Sequence, residues 1–310
     1  MFEEVACYYC SSTSSSFVLN ANEDLTGKPG TFRFVKCNDC GLMYQNPRVN
    51  IETIPTYYDD EYIAHRKKTD WGILTPFYKW AMGKHDRDKD KIVSKYVELN
   101  ESTKVLDVGC AVGTFLTYLR NKYNVQPSGV DFKDCSYYEG FEHIDFHHGL
   151  FYEQDLVDDS FDLVTMWHFL EHDYEPIRTL EMAKRVVKPE GRIVIEVPRL
   201  DSASYSLFHE RWPGLQAPQH TVCFDKSSLY NFVEKAGLEV VDFLPYGAFP
   251  AYFYLFTGAA FKFLKGKGID LDRWVLPYFL GQIATAPVML FEKQLNLAMQ
   301  TIVCRKPTSC

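Results

Sequence analysis

Between residues 104 and 243, short hydrophobic runs alternate with longer segments of helical periodicity. Runs such as KVLDV and FDLVTMW are almost continuously apolar, as expected for strands that are covered on both faces. Residues 114–121 place Phe115, Leu116 and Leu119 on one side of a helix. This alternation predicts an α/β fold with a doubly wound parallel sheet.

The same pattern continues to the end of the chain. SGVD, GRIVIEVP, LEVVDF and AMQTIVCRKP read as further strands. Pro176 suits the first turn of a helix that ends before a predicted turn at KPEG. Asp225 or Ser227 can cap a later helix, which ends at Gly237.

Two uncharged segments, 248–261 and 274–291, interrupt this alternation before the last predicted strand. The connection between them has a net charge of +2. Pro277, Gly281 and Pro287 disfavour a membrane-spanning helix. We therefore expect two apolar helices that lie on the protein or on a bilayer surface; an extended core or a contact between copies of the chain is the alternative.

Composition narrows the functional classes. The 310 residues are 46% hydrophobic and 15% aromatic, which is enough for one large domain with an appendage. The net charge is −8, and residues 130–182 are strongly acidic, so nucleic-acid binding is not expected. The acidic start of the sequence shows no targeting pattern, which predicts a cytoplasmic protein, peripheral at the inner membrane face if the apolar segments meet lipid.

Four cysteines near the start form two C-x2-C pairs: Cys7 with Cys10, and Cys37 with Cys40. Two such turns can place four thiolates around one zinc ion. Four protein ligands leave no open position, so the predicted zinc is structural. A chance grouping of buried thiols is the alternative.

The segment VLDVGCAVGTFL contains Asp107, Gly109, Ala111 and Gly113. Its spacing differs from the G-x-G-x-x-G of dinucleotide sites and from the G-x-x-x-x-G-K of phosphate-binding loops. A carboxylate at a strand end, beside bare glycine backbone, suits a ligand with a positive amino group and no phosphate. S-adenosylmethionine is such a ligand.

With these residues, the chain resembles the class I S-adenosylmethionine-dependent methyltransferases, although one glycine of the motif is replaced by alanine. The resemblance implies a Rossmann-like sheet of seven strands, with the sixth and seventh antiparallel neighbours. It implies that Asp131 accepts hydrogen bonds from the ribose hydroxyls and that Leu150 lies by the adenine. Trp167 and His168 would lie beside the methionine moiety.

Methyl transfer from a sulfonium mainly requires an aligned nucleophile and the exclusion of water. If the acceptor is a hydroxyl, a base must take its proton, and histidine has a suitable pKa at neutral pH. His168 and His172 follow the fourth strand, and His220 precedes the sixth. All three are candidate bases, and a structural hydrogen-bonding role is the alternative for each.

A cysteine ribbon followed by Tyr57, Tyr58 and Tyr62 resembles sugar methyltransferases of polysaccharide and antibiotic-sugar pathways. It is also similar to ribosomal RNA methyltransferases that carry a ribbon. Residues 1–50 have a net charge of −1, which disfavours RNA. The tyrosines would act as a lid on the cofactor or only pack.

These observations predict three units: a zinc ribbon and linker (1–62), a Rossmann-like methyltransferase domain (63–245 with 294–310) and an apolar helical insertion (246–293). The expected function is methyl transfer to a hydroxyl of a sugar, glycan or lipid-linked acceptor. The insertion would stand beside the acceptor pocket and contact a membrane surface through 248–291. A ribosomal RNA or small aromatic-molecule methyltransferase and a non-catalytic cofactor-binding protein are the alternatives, and homo-oligomerisation stays open.

Overall fold

The computed structural model describes residues 1–58, 75–138, 140–264, 267–269 and 271–307. Tyr62 lies outside the described residues. The strands are β1 (Phe2–Glu3), β2 (Ser15–Asn22), β3 (Thr31–Cys37), β4 (Met43–Gln45), β5 (Arg48–Val49), β6 (Lys104–Val108), β7 (Gln126–Asp131), β8 (Asp145–His148), β9 (Phe161–Trp167), β10 (Val187–Pro198), β11 (Val222–Cys223), β12 (Glu239–Leu244) and β13 (Met299–Arg305). The α-helices are α1 (Thr75–Val93), α2 (Thr114–Tyr123), α3 (Pro176–Val186), α4 (Ala203–Phe208), α5 (Lys226–Lys235), α6 (Ala251–Leu264) and α7 (Leu271–Met289).

A seven-stranded sheet forms the centre of the molecule, in the order β12-β13-β10-β9-β6-β7-β8. Five strands from β10 to β8 run parallel, and β13 is antiparallel to both of its neighbours. The predicted Rossmann-like fold is therefore confirmed, including the antiparallel sixth and seventh strands. In such sheets ligands bind beyond the carboxyl ends of the parallel strands, where the strand order reverses between β6 and β9.

The residues of the sequence motif reach this edge together because of the strand register. Asp107 on β6 pairs with Thr165 on β9, and Asp131 ends β7 opposite His148 on β8. Buried apolar side chains on the inner faces of β6, β9 and β10 fix this register against the flanking helices. The acids of two neighbouring strands thus lie at one edge of the sheet.

The predicted turn at residues 188–191 was wrong. Strand β10 runs through these residues, and its pairing with β9 shifts register between Val187 and Arg192. Gly191 makes this irregularity sterically feasible, because a methyl group there would lie 2.9 Å from the Phe161 carbonyl oxygen on β9. The sequence PEG therefore forms an irregular strand start.

The amino-terminal strands form a second sheet in the order β11-β4-β3-β2. Its edge strand β11 comes from a distant part of the chain, and Val222 pairs with Tyr44 on β4. Tyr44 and Phe34 are fully buried in this unit. The cysteine-bearing segment is thus hydrogen-bonded to the strand that begins two residues after His220.

The insertion after β12 consists of the two expected apolar helices, α6 and α7. Gly258 on α6 lies against the ring of Phe208 on α4, and Gly281 on α7 lies against Tyr252 on α6. The absence of side chains at these glycines lets the helices approach closely. Among the residues that the structure describes, no helix has both the length and the apolarity that a membrane crossing needs.

Candidate functional site

The glycine motif forms a tight turn after β6 that is bound to β7. Gly109, Ala111 and Gly113 have φ values of 75°, 45° and 67°, in the left-handed region that favours glycine. The backbone N–H groups of Gly109 and Cys110 donate to the Val130 carbonyl at 2.8 and 3.1 Å. The motif therefore presents backbone, with little side chain, at the edge of the sheet.

Asp131 is held at the end of β7 by two backbone donors. Its Oδ2 accepts from Ala111 N–H and its Oδ1 from Lys133 N–H, each at 2.9 Å. Burial raises the pKa of this carboxyl, and the two N–H donors oppose that shift. Because an ionised carboxylate can accept about four hydrogen bonds, both oxygens keep capacity for a ligand. The arrangement fits the two hydroxyls of a ribose.

Asp107 is buried on β6, where its Oδ1 accepts from the Thr165 hydroxyl at 2.6 Å. Burial raises its pKa to about 6, against the opposing effects of Lys89 and of Thr165. The Lys89 ammonium, on α1, lies 5.3 Å from the ring centres of Phe115 and Trp167. Asp107 thus carries a carboxylate whose charge is compensated only in part.

Aromatic and apolar groups border these acids. Trp167 is buried at the end of β9, and its Nε1 has no hydrogen-bond partner among the described residues. Leu150 is half-buried after β8. The ring of Tyr58 meets Phe132, the residue after Asp131, edge-on at 5.1 Å. The donor set, the orphaned indole N–H and the bare glycine turn all fit S-adenosylmethionine.

His168 follows β9 in a left-handed conformation, with φ of 55°. Its Nδ1 lies 3.5 Å from the Glu171 carboxylate and its Nε2 3.3 Å from the Glu196 carboxylate. Burial disfavours the imidazolium, but the two carboxylates outweigh burial and raise the pKa of His168 to about 9. Both ring nitrogens thus face carboxylates of the protein itself.

His172 and His220 meet beside this pair. Their ring centres lie 4.4 Å apart at 85°. His220 Nδ1 is 2.8 Å from the Gly214 carbonyl oxygen, and its Nε2 is 3.9 Å from Glu171. His172 Nδ1 lies 2.9 Å from the Tyr58 hydroxyl. The structure therefore brings all three predicted histidines together around Glu171.

The amino-terminal unit holds the loop that carries His220. Gln45 Nε2 donates to the carbonyls of Pro218 and His220 at 3.0 and 2.6 Å. Its backbone N–H donates to the Thr221 carbonyl at 2.9 Å. Gln45 is fully buried, so these bonds are shielded from water. The position of His220 therefore depends on a residue 175 positions away in the sequence.

Several residues of the site were not predicted from the sequence. Glu196 is fully buried on β10 and accepts from the N–H groups of Ala248 and Phe249 at 2.6 and 3.0 Å. His85 Nδ1, on α1, lies 3.2 Å from the Ala248 carbonyl oxygen. The signal for Glu196 was one acid inside the apolar run RIVIEVP. The insertion thus begins at the site, where Phe249 and His168 have ring centres 4.8 Å apart.

The four amino-terminal cysteines converge on one point. The Sγ atoms of Cys7 and Cys40 lie 3.5 Å apart, and those of Cys10 and Cys37 lie 3.4 Å apart. All four sulfur atoms are within 4.8 Å of one another. A disulfide needs about 2.05 Å, whereas sulfurs on one tetrahedral zinc lie about 3.8 Å apart. The geometry fits zinc and excludes disulfides in this structure.

Comparison with known proteins identifies the class of enzyme. Residues 82–242, just over half of the chain, match the family model described as a methyltransferase domain. The chain therefore belongs to that family and is an S-adenosylmethionine-dependent methyltransferase. No curated protein sequence matches the chain.

Solved structures share the fold at low identity. A chain in the complex between the Haloferax volcanii Trm112 methyltransferase activator and a methyltransferase is 19% identical, with a TM-score of 0.50 over 73% of this chain and 93% of that chain. A methyltransferase from Bacillus halodurans is 16% identical, with a TM-score of 0.48 over 72% and 100%. The [4+2]-cyclase SpnF is 20% identical, with a TM-score of 0.48 over 72% and 81%. These similarities concern the fold alone.

We expect the affinity for S-adenosylmethionine to fall as the pH decreases through about 6, the pKa of Asp107. Protonation removes the negative charge that would attract the ligand's ammonium group, and a charge-assisted hydrogen bond is worth about 1.5–3 kcal/mol. Asp107→Asn should therefore bind about 10- to 100-fold more weakly at pH 8, with a smaller loss of affinity as the pH decreases through about 6. Titration calorimetry measures both effects.

Asp145→Asn is the matched control, because Asp145 is exposed at the start of β8. It should bind as the wild type does at every pH. Equal affinities of Asp107→Asn and the wild type at pH 8 would remove Asp107 from the cofactor site.

Proposed function

We propose that the enzyme methylates a hydroxyl of a sugar, glycan or lipid-linked acceptor. The observation that carries this proposal is the pair of imidazoles, His172 and His220, beside the carboxyl ends of β6 and β9. S-adenosylmethionine supplies an electrophilic methyl group at this edge. A hydroxyl acceptor must lose a proton during transfer, and imidazole is the side chain whose ordinary pKa suits it to accept that proton at neutral pH.

We assign the cofactor to the glycine turn and the two acids of the sheet edge. Asp131 would accept the ribose hydroxyls, since both of its oxygens are oriented by backbone donors. Asp107 would face the amino group of the methionine moiety. Three further kinds of contact are proposed. The backbone of the glycine turn would approach the ligand closely, an apolar side chain would pack on the adenine, and groups at the end of β9 would lie beside the methionine moiety. These residues are Gly109, Ala111 and Gly113; Leu150; and Trp167 and His168.

His168 is assigned a positioning role. Both of its ring nitrogens face buried carboxylates, which leaves neither directed at an acceptor. The proton of the acceptor passes to the imidazole of His172 or His220 or, where these residues hold a cation that activates the hydroxyl, to water. Of the three candidate bases, these two are retained.

The chemistry of the surface favours a sugar or lipid-linked acceptor over RNA. The amino-terminal 50 residues carry a net charge of −1 and the whole chain −8, which is unfavourable for a phosphate backbone. The apolar insertion begins directly at the site, where Glu196 binds the N–H groups of Ala248 and Phe249. An apolar part of an acceptor would contact the insertion at this position.

Replacing His172 by Asn should lower kcat by about 100- to 10,000-fold, because the group that withdraws the proton is lost. Cofactor affinity should stay unchanged. His143→Asn, at an exposed position, is the control and should retain full activity. Activity is measured with methyl-labelled S-adenosylmethionine in cell extracts, and mass spectrometry identifies the labelled product. A label on nitrogen, carbon or RNA would contradict the proposal.

We also propose that Cys7, Cys10, Cys37 and Cys40 hold a structural zinc ion. The distances among the four sulfurs support it, as do the backbone N–H groups of Asp39 and Cys40 that donate to the Cys37 sulfur. Four thiolates satisfy the coordination of zinc and leave no position for substrate. The ion would rigidify the unit from which Gln45 reaches the His220 loop.

Cys40→Ser should remove the zinc bound by the quartet and lower Tm by at least about 5 °C, since structural metal sites contribute directly to folding. Elemental analysis and thermal unfolding provide the two readouts. Cys135→Ser is the control, because Cys135 is buried elsewhere in the core. It should keep its metal content. Retention of the full zinc content by Cys40→Ser would refute the assignment.

Finally, we propose that α7 places the enzyme against an anionic membrane surface on the cytoplasmic side. Leu276, Leu280 and Ile283 are exposed and recur at helical spacing on this helix. The sequence between 261 and 274 carries a net charge of +2, which complements anionic headgroups. An apolar stripe with a neighbouring basic segment is typical of helices that lie in the membrane interface.

The double substitution Leu280→Gln with Ile283→Gln should reduce cosedimentation with anionic phosphatidylserine vesicles at least about tenfold, because it removes apolar area from the interface. Val157→Gln, an exposed position between β8 and β9, should bind like the wild type. A wild-type protein that does not cosediment with the vesicles would contradict the proposal. Loss of a dimer in the double variant would then assign the stripe to self-association.

A further inference from the structure

We propose that Glu171, His172 and His220 form a binding site for a divalent transition-metal ion. The ion would bind the acceptor hydroxyl at its open coordination position. That second step rests on the proposed function, whereas the metal site itself stands on the geometry alone.

The three side chains already surround one point. A carboxylate oxygen of Glu171, a ring nitrogen of His172 and one of His220 lie within 4.8 Å of one another. His220 Nε2 is 3.9 Å from Glu171 Oε1. Ligand atoms on one tetrahedral ion with metal–nitrogen bonds of about 2.0–2.1 Å lie about 3.3 Å apart. A small inward movement of side chains completes the site.

Within the described part of the chain, the Glu171 carboxylate lacks the hydrogen-bond donors that a buried carboxylate normally has. It is 1% exposed, and neither oxygen has a hydrogen-bond donor among the described residues. The nearby Glu196 carboxylate, equally buried, accepts two backbone N–H groups instead. A buried carboxylate is destabilising unless cations and hydrogen-bond donors compensate it, and the imidazole of His168 is shared between Glu171 and Glu196. His168 Nδ1, at 3.5 Å, satisfies neither oxygen by a well-aligned hydrogen bond.

The histidines are oriented as metal ligands usually are. His220 Nδ1 donates its proton to the Gly214 carbonyl at 2.8 Å, so its Nε2 carries the lone pair. His172 Nδ1 lies 2.9 Å from the Tyr58 hydroxyl and 3.2 Å from the Gln219 carbonyl oxygen. In His220 the backbone carbonyl fixes both the tautomer and the direction of the ring, and in His172 the two contacts fix the direction of the ring. Gln45 in turn holds this loop in place.

The ligand set selects the metal class. Two imidazoles and one carboxylate suit zinc, iron, cobalt or manganese, whereas magnesium and calcium prefer oxygen ligands only. Three protein ligands leave a coordination position open, unlike the cysteine quartet. On these proposals, the described residues would hold two metal ions at sites of different chemistry, one closed and one open.

An open position beside the cofactor suits activation of a hydroxyl. The acceptor binds through its oxygen, and the cation lowers the pKa of the hydroxyl, whose proton passes to water. The oxygen then forms a bond to the methyl carbon while the carbon–sulfur bond of S-adenosylmethionine breaks. The bonding pair stays on sulfur, and S-adenosylhomocysteine leaves as a neutral thioether.

Cobalt(II) titration of the metal-free, full-length protein separates the two sites. Cobalt bound by thiolates gives intense sulfur-to-metal charge-transfer absorption, whereas cobalt bound by nitrogen and oxygen gives only weak d–d bands. We expect the wild type to bind one equivalent of each kind. His220→Asn can keep the hydrogen bond to Gly214 but lacks Nε2, so its affinity at the second site should fall at least about 100-fold.

Three further variants test which residues bind each of the two cobalt equivalents. Glu171→Gln preserves shape, removes the charge and should also lose the second equivalent, which keeps the test valid if His220→Asn folds poorly. Cys40→Ser should lose only the charge-transfer band. His143→Asn should bind both equivalents, because its imidazole is exposed and faces Glu142.

Binding of a single, thiolate-type equivalent by the wild type would overturn the inference, and so would an unchanged second equivalent in both His220→Asn and Glu171→Gln. Metal binding that persists while the labelled methyl group is found on nitrogen or carbon would contradict the proposed function and leave the metal site intact. Methyl transfer to a hydroxyl in metal-free protein would contradict the role of the ion alone.

Discussion

The site depends on the burial of two carboxylates at one edge of the sheet. Glu171 and Glu196 are both almost inaccessible to water, and His168 lies between them. Removing carboxylates from water is costly unless charges and donors compensate it. His168 links the ends of β9 and β10 for this reason, and Glu196 fixes the start of the insertion through Ala248 and Phe249. The need to compensate these two buried charges thus sets the positions of the end of β9, the end of β10 and the start of the insertion.

The part of this arrangement that could be predicted is local in sequence. Buried strands read as apolar runs, and Asp107 and Asp131 lie at the carboxyl ends of such runs, so their meeting at one edge followed from the parallel topology. The predicted turn at KPEG was wrong because proline and glycine also occur in irregular strand starts. Glu196 was missed although a lone acid in an apolar strand marks a buried charge.

The remainder depends on contacts between distant parts of the chain, which no local periodicity contains. Gln45 and His220 are 175 residues apart, and nothing in MYQNP indicates that its glutamine binds two carbonyls of another loop. The pairing of Tyr44 with Val222 also cannot be predicted from the sequence, because β11 has only two residues. The three histidines were each predicted, but their grouping around Glu171 required the tertiary structure.

The sheet shared by β4 and β11 also affects the order in which the molecule can assemble during translation. A ribosome synthesises β4 long before Val222 and Cys223 emerge, so the hydrogen-bonding edge of β4 stays uncovered through most of elongation. An uncovered strand edge is a template for pairing with other chains. Only three residues long, β4 offers a short edge, which limits that hazard in the nascent chain.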